Sequence, residues 1–167
     1  MPALMMGEKP EVVLARTGWA RSVAGVNPYV TLFSRAGTSR EEADRAVANV
    51  EIHELPSARG CTYVVPQKEF ALALKVGQSF QEAGDIQGAK KFLGVTDDEI
   101  DRLGEKVVDA LAKGPMDPAA LKNAVGDAVR NLGEAAKKRG MTTTLPLALG
   151  RLQSLGEIRR QPVNGRL

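Results

Sequence analysis

The side chains best equipped for chemistry in this 167-residue sequence are cations and hydroxyls near its C-terminal end. From Asp127 onward there are eight basic residues (Arg130, Lys137, Lys138, Arg139, Arg151, Arg159, Arg160 and Arg166) against three acidic ones, a balance of +5. The first 126 residues carry 15 basic and 17 acidic residues, a balance of −2. Three consecutive hydroxyls, Thr142, Thr143 and Thr144, stand before an apolar run in the same basic segment. Guanidinium, ammonium and hydroxyl groups are the side chains that hold phosphate oxygens. All seven aromatic residues fall within the first 92. The basic segment therefore lacks the platforms on which single-stranded bases stack, and a duplex phosphate backbone suits it better. The same eight cations spread over 41 residues also fit an ordinary solvated surface.

Other chemistry has less to work with. Cys61 is the single cysteine and His53 the single histidine. One thiol can neither close an intrachain disulfide nor build a multi-cysteine metal site, and a Ser-His-Asp arrangement would have to run through His53 alone. His53 shares a strand face with Glu51, with Ile52 on the other; it reads as a structural histidine or, alternatively, as a general base. Cys61, between Gly60 and Thr62, reads as a small buried apolar residue rather than a nucleophile. Arg59, just before Gly60, can grip a phosphate or a carboxylate such as Glu54. Gly84, Gly88, Lys90 and Lys91 hint at a phosphate loop, but Phe92 stands where that pattern needs a hydroxyl. No metal and no cofactor are expected. No apolar run approaches the roughly 18 residues of a membrane helix, and the first residues lack a cationic stretch followed by an apolar one. The expectation is a soluble, cytoplasmic protein.

Three helices would position the basic segment. Thr96-Asp97-Asp98-Glu99 is a capping box, followed by Ile100, Leu103, Val107, Val108 and Leu111 on one helical face up to Lys113-Gly114. Asp117 as N-cap and Pro118 at the first position open a short helix ending at Val125-Gly126. Residues 127–139 can also be helical, with Lys137, Lys138 and Arg139 in the last turn. One of Thr142–Thr144 then caps a third helix with Pro146 in its first turn and Leu145, Leu149, Leu152 and Leu155 as its stripe. From Glu157 to Val163 the pattern turns extended and leads into Asn164-Gly165, a strong hairpin signal whose return strand is cut short at Leu167, so the chain is expected to be a fragment. Helix, short helix, threonine-capped helix and basic hairpin is the order of a winged helix-turn-helix. That plan puts Thr142, Thr143, Thr144 and Arg151 on the groove-reading helix, and Arg159, Arg160 and Arg166 on the wing.

The first half reads as a more divergent copy of this plan: a helix from Glu11 to Arg21, a capping box at Thr38-Ser39 with Glu41-Glu42 opening a helix to about Asn49, an extended stretch from Val50 to Pro66 bent about Pro56 and Arg59-Gly60, and a helix from Gln67 to Phe80. The fold class is thus mainly α with small β-hairpins (α+β), as tandem winged helix-turn-helix modules. Residues 1–82 form the first, 83–95 a linker, and 96–167 the second, with its wing cut at the C-terminus.

Two segments carry a family resemblance. Ser57-Ala58-Arg59-Gly60-Cys61-Thr62-Tyr63-Val64-Val65-Pro66 resembles the arginine-glycine-threonine strand of the bacterial winged-helix proteins grouped with the AlkZ and YcaQ DNA glycosylases. Thr143-Thr144-Leu145-Pro146-Leu147-Ala148-Leu149, with Gly156-Glu157-Ile158-Arg159-Arg160, is similar to that family's second winged helix. The resemblance implies double-stranded DNA as partner and a role related to DNA repair. The family's glycosylases position water with a Gln-x-Gln or Gln-x-Asp motif; the resemblance sets Asn27 at the first place and Tyr29 at the second. An amide can orient water, but a phenol with a pKa of about 10 is a poor general base, so no catalytic residue is carried over. The expected function is sequence-tolerant duplex contact through phosphates. The alternatives are excision of bulky alkylated or crosslinked bases, and winged helices that serve protein contacts only.

Overall fold

The structure, a computed structural model, describes residues 5–78, 84–138 and 140–161. The chain divides into two compact units, Met1–Phe80 with Arg159–Leu167, and Gln81–Ile158.

The first unit runs α1 (Pro10–Thr17), β1 (Ala20–Arg21), α2 (Asn27–Ala36), α3 (Arg40–Ala48), β2 (Ile52–Pro56), β3 (Thr62–Pro66) and α4 (Phe70–Gln78). The helix expected to reach Arg21 stops at Thr17, because Gly18 takes a φ of 91° that turns the chain into β1. Ser39 and Glu42 close the capping box that opens α3: the Ser39 hydroxyl accepts from the Glu42 amide at 3.2 Å, and the Glu42 carboxylate accepts from the Ser39 amide at 2.7 Å. β2 and β3 pair antiparallel with Glu54 opposite Val64 and Pro56 opposite Thr62, and β1 pairs with the other edge of β3. Strand alternation sends Ala20, Ile52 and Val64 to a face that packs with Val13, Leu14, Leu32 and Val47 of α1–α3. Leu55 and Val65 face the other way, onto Ala73, Phe70 and Leu74 of α4. Helix, strand, two helices and a hairpin, with β1 outside β3, is the winged-helix arrangement, and the β2–β3 turn is its wing. Gln67–Glu69 form a 3₁₀ turn before α4, where one continuous helix was expected.

The second unit holds α5 (Gly84–Leu93), α6 (Asp97–Leu111), α7 (Pro118–Val125), α8 (Gly133–Lys137) and α9 (Leu145–Leu155). Thr96 caps α6 by accepting from the Glu99 amide at 3.1 Å. Asp117 caps α7 by accepting from the Ala119 and Ala120 amides at 2.8 and 2.9 Å. Ile100, Leu103 and Val107 of α6 pack with Leu121, Leu145, Ala148 and Leu152 into one core.

Three expectations are revised here. Residues 84–93, read as part of a linker, form α5, and its Ile86 and Ala89 are buried in this core. The helix expected over 127–139 is broken into a 3₁₀ turn at Gly126–Ala128 and the short α8. The Arg130–Leu132 backbone instead bonds the threonine segment: Leu132 N–H to the Thr142 carbonyl at 3.0 Å, and Thr144 N–H to the Arg130 carbonyl at 3.1 Å, with an Asn131–Thr143 bridge between them. Bonds to a distant segment take the donors and acceptors a helix would have used. Finally, residues 157–161 form no strand; the rest of the expected hairpin, including Asn164-Gly165, lies outside the described residues.

Candidate nucleic-acid interface

The wing of the first unit is a short, firmly based turn. At its base the Ser57 amide donates to the Cys61 carbonyl at 2.8 Å, and the buried Ser57 hydroxyl donates to the Ala73 carbonyl of α4 at 2.7 Å. α4 comes so close that a Cβ on Gly77 would stand 2.8 Å from the Pro56 carbonyl oxygen. At its tip Arg59 is exposed, with φ 57° and ψ 26°, followed by Gly60 at φ 66°. Left-handed backbone is costly for a residue with a Cβ, and non-glycine residues held there cluster at functional sites. Arg59 has no carboxylate partner among the described residues, so the Glu54 pairing considered for it does not form. Arg21, on the edge strand, is also exposed, and its guanidinium reaches the Cys61 sulfur at 3.3 Å. Two arginines therefore stand at the wing end of the sheet.

The cations expected to lead in the second unit are mostly engaged. Arg151 bonds Asp97 at 2.5 Å and Asp101 at 2.6 Å. Burial alone would lower its pKa, but these two carboxylates outweigh that and raise it. Arg130 forks onto Glu99 at 2.7 and 2.9 Å, which holds the Glu99 carboxyl below its usual range. Lys137 pairs with Glu134 at 2.5 Å. Lys138 is exposed with no ion pair among the described residues; Arg139 and Arg166 lie outside them.

The threonines divide. Thr142 is exposed and Thr143 half-buried in its bridge to Asn131, but Thr144 is wholly buried. It occupies the N-cap position of α9 without capping it, and its hydroxyl accepts from the Arg130 amide at 3.1 Å. Thr144 is a structural residue, out of reach of a groove. α9 itself borders a cleft with Asp101, Glu105, Asp109 and Glu157 in its lining, carboxylates that repel phosphate. Arg159 and Arg160, expected on a second wing, serve the first unit. Arg159 donates to the Val47 carbonyl at 3.0 Å, in the last turn of α3, where a cation suits the helix dipole. Arg160 lies 3.7 Å from the Glu54 carboxylate but keeps 63% of its side chain exposed.

Two polar groupings escaped the sequence. Ser22 donates to Glu54 at 2.7 Å, and the Glu54 side chain is only 7% exposed. Tyr29 donates its phenol to Asp44, which also lies 3.8 Å from Arg40. Burial first, and then the Asp44 carboxylate, push the Tyr29 phenol well above its ordinary pKa, so it is a fixed donor and no base. Asn27 is exposed in the first turn of α2, with Pro28 behind it. Each pair joins two separate elements, which no local spacing reveals. His53 is buried against Phe70, ring centroids 4.6 Å apart, and its Nε2 has no partner among the described residues; it is a wedged structural residue.

A search of curated proteins finds no match to the chain. Among solved structures, the DNA glycosylase AlkZ of Streptomyces sahachiroi shares the fold, with a TM-score of 0.64 at 18% identity, over 96% of this chain and 42% of that one. The chain thus spans less than half of that protein's length. A family model described as "DNA glycosylase AlkZ-like" matches residues 20–166. With a winged helix in its first unit and that match over most of its length, the chain belongs to the AlkZ-like DNA glycosylase family.

Proposed function

We propose that the chain binds duplex DNA with little sequence preference, through the wing of its first unit, as part of a base-excision repair protein of the cytoplasm. The observation that carries this is Arg59, an exposed guanidinium with no carboxylate partner among the described residues, in a left-handed conformation at the tip of a turn anchored to α4. The exposed face of α3, the helix that would enter a groove, is mixed in sign, with Arg40 and Arg45 beside Glu41 and Glu42. A wing that holds phosphates suits such a module better than a helix that reads bases. Arg21, at the wing end of the sheet, and the exposed Arg160 are supporting cations in the same unit. With two or three phosphates neutralised, log affinity falls with log salt at a slope of about −2 to −3. Fluorescence anisotropy with two duplexes of unrelated sequence tests this; a flat salt response, or strong preference for one duplex, contradicts it.

A second reading, base excision, is favoured by Glu54. It is a carboxylate held in place by Ser22 and almost wholly buried, the kind of group that can orient a water molecule. Release of abasic sites from alkylated duplex, abolished by Glu54→Gln with duplex binding retained, is the expected result; equal product from both proteins removes Glu54 from any such role.

A further inference from the structure

The cleft bordered by α6 and α9 has a chemistry that DNA binding leaves unused. It measures about 370 Å³ and is open to solvent, with an apolar floor of Ile100, Gly104, Ala148 and Leu152. Val108, 38% exposed, and Leu155, 46% exposed, also line it. With the floor they form a contiguous apolar patch, and it is contiguity that marks a contact surface. Asp101, Glu105 and Asp109 follow at four-residue intervals along one face of α6, and Glu157 adds a fourth carboxylate after α9. Among the described residues the one cation in the lining is Arg151, already bound by Asp97 and Asp101. An apolar floor with this rim excludes phosphate and anionic ligands and calls for an apolar surface flanked by positive charge.

The shape narrows the class of partner. Three carboxylates at four-residue spacing span about 12 Å along the helix axis, a little over two turns. A second helix laid along the cleft would place apolar side chains at i, i+3, i+4 and i+7 on the floor. Its lysines or arginines, at a matching four-residue spacing, would meet Glu105 and Asp109. We infer that the α6–α9 cleft docks a cationic amphipathic helix of a partner protein. The charges set orientation and encounter rate, and the apolar floor sets affinity. This surface belongs to the second unit alone and does not depend on the wing.

The test uses the full chain and a fluorescein-labelled leucine–lysine peptide long enough for about four helical turns, read by anisotropy. A scrambled peptide of equal composition and an acidic version with glutamate for lysine serve as controls. The cationic amphipathic peptide binds, and both controls bind at least tenfold more weakly. The double variant Glu105→Lys/Asp109→Lys weakens binding about tenfold, about 1.4 kcal/mol, while its circular dichroism stays unchanged because both positions are exposed. Leu155→Ser weakens it without altering charge, and the Val108 and Leu155 methyl resonances shift on titration. Equal binding of the scrambled peptide, indifference to the charge reversal, or unmoved methyl resonances overturns the proposal. Displacement of the peptide by duplex DNA, or self-association of the chain lost in Leu155→Ser, would assign the cleft to another occupant and overturn it as well.

Discussion

Arg59→Gly separates a wing that contacts DNA from one that merely closes a hairpin, because both readings predict a gain in stability and only the first predicts a loss of affinity. Arg59 holds φ 57° and ψ 26°. For a residue with a Cβ, the left-handed conformation costs about 1–2 kcal/mol. Glycine avoids that cost but returns about 0.4–1 kcal/mol through its freer unfolded chain. The variant is therefore more stable by about 0.5–1 kcal/mol, a rise in Tm of about 3 °C. If Arg59 binds phosphate, the same change removes one charge-assisted contact of about 1.5 kcal/mol. Duplex affinity then falls about tenfold, and the salt slope shrinks by about 0.9. Differential scanning fluorimetry and anisotropy at several salt concentrations on one preparation give both quantities. A variant that gains stability and binds DNA with unchanged affinity and slope refutes the contact. In that case the strain at Arg59 needs a different explanation.

Arg151→Ala leaves duplex affinity and salt slope unchanged, because its guanidinium is held by Asp97 and Asp101, but lowers the melting temperature by scanning fluorimetry. His53 has its pKa lowered first by burial and then by the charge of Arg159, so it is neutral when folded and takes a proton more readily when unfolded. Its contribution is complete above about pH 6.5 and is lost as pH falls toward the folded value; Tm measured from pH 5 to 7.5 rises with pH, and His53→Gln flattens the rise. Gly77→Ala sets a Cβ 2.8 Å from the Pro56 carbonyl oxygen, against backbone that cannot give way cheaply. It destabilises the first unit by about 1–3 kcal/mol in urea unfolding and weakens duplex binding by shifting the wing. Asp117→Ala removes the cap of α7 and costs about 1 kcal/mol, with no change in DNA affinity.

What was legible in the sequence was local. The Ser39–Glu42 box, the Thr96 cap and the Asp117-Pro118 start each depend on side chains within four positions of one another, so residue types at fixed offsets suffice to place α3, α6 and α7. The extended stretch bent at Arg59-Gly60 was equally plain, since β-branched residues flank a turn that glycine favours. Thr144 misled because its residue type fits an N-cap, yet its hydroxyl serves the amide of Arg130, 14 positions away. Ser22–Glu54 and Tyr29–Asp44 join residues 32 and 15 positions apart, and only the packing of β1 beside β3 and α2 beside α3 brings them together.

Charge was legible only as composition, for the same reason. Three of the eight cations behind the +5 of the C-terminal segment pair with carboxylates of the net-negative remainder. Arg130 meets Glu99, Arg151 meets Asp97 and Asp101, and Arg160 leans on Glu54. A cation count along a segment measures supply; whether a guanidinium is open to a phosphate depends on which carboxylates the fold sets opposite it. α9 shows the consequence, since the helix expected to read a groove borders a cleft rimmed by acids. Arg59 shows the converse. It lies in the part of the chain with a net negative balance, yet Ala58, Gly60 and Cys61 around it bring no charge and the left-handed turn leaves it exposed at the wing tip. Contact with DNA is therefore expected first from an exposed arginine on a strained turn, while Arg130, Arg151 and Arg159 of the basic-rich segment supply bonds that hold their own units in shape.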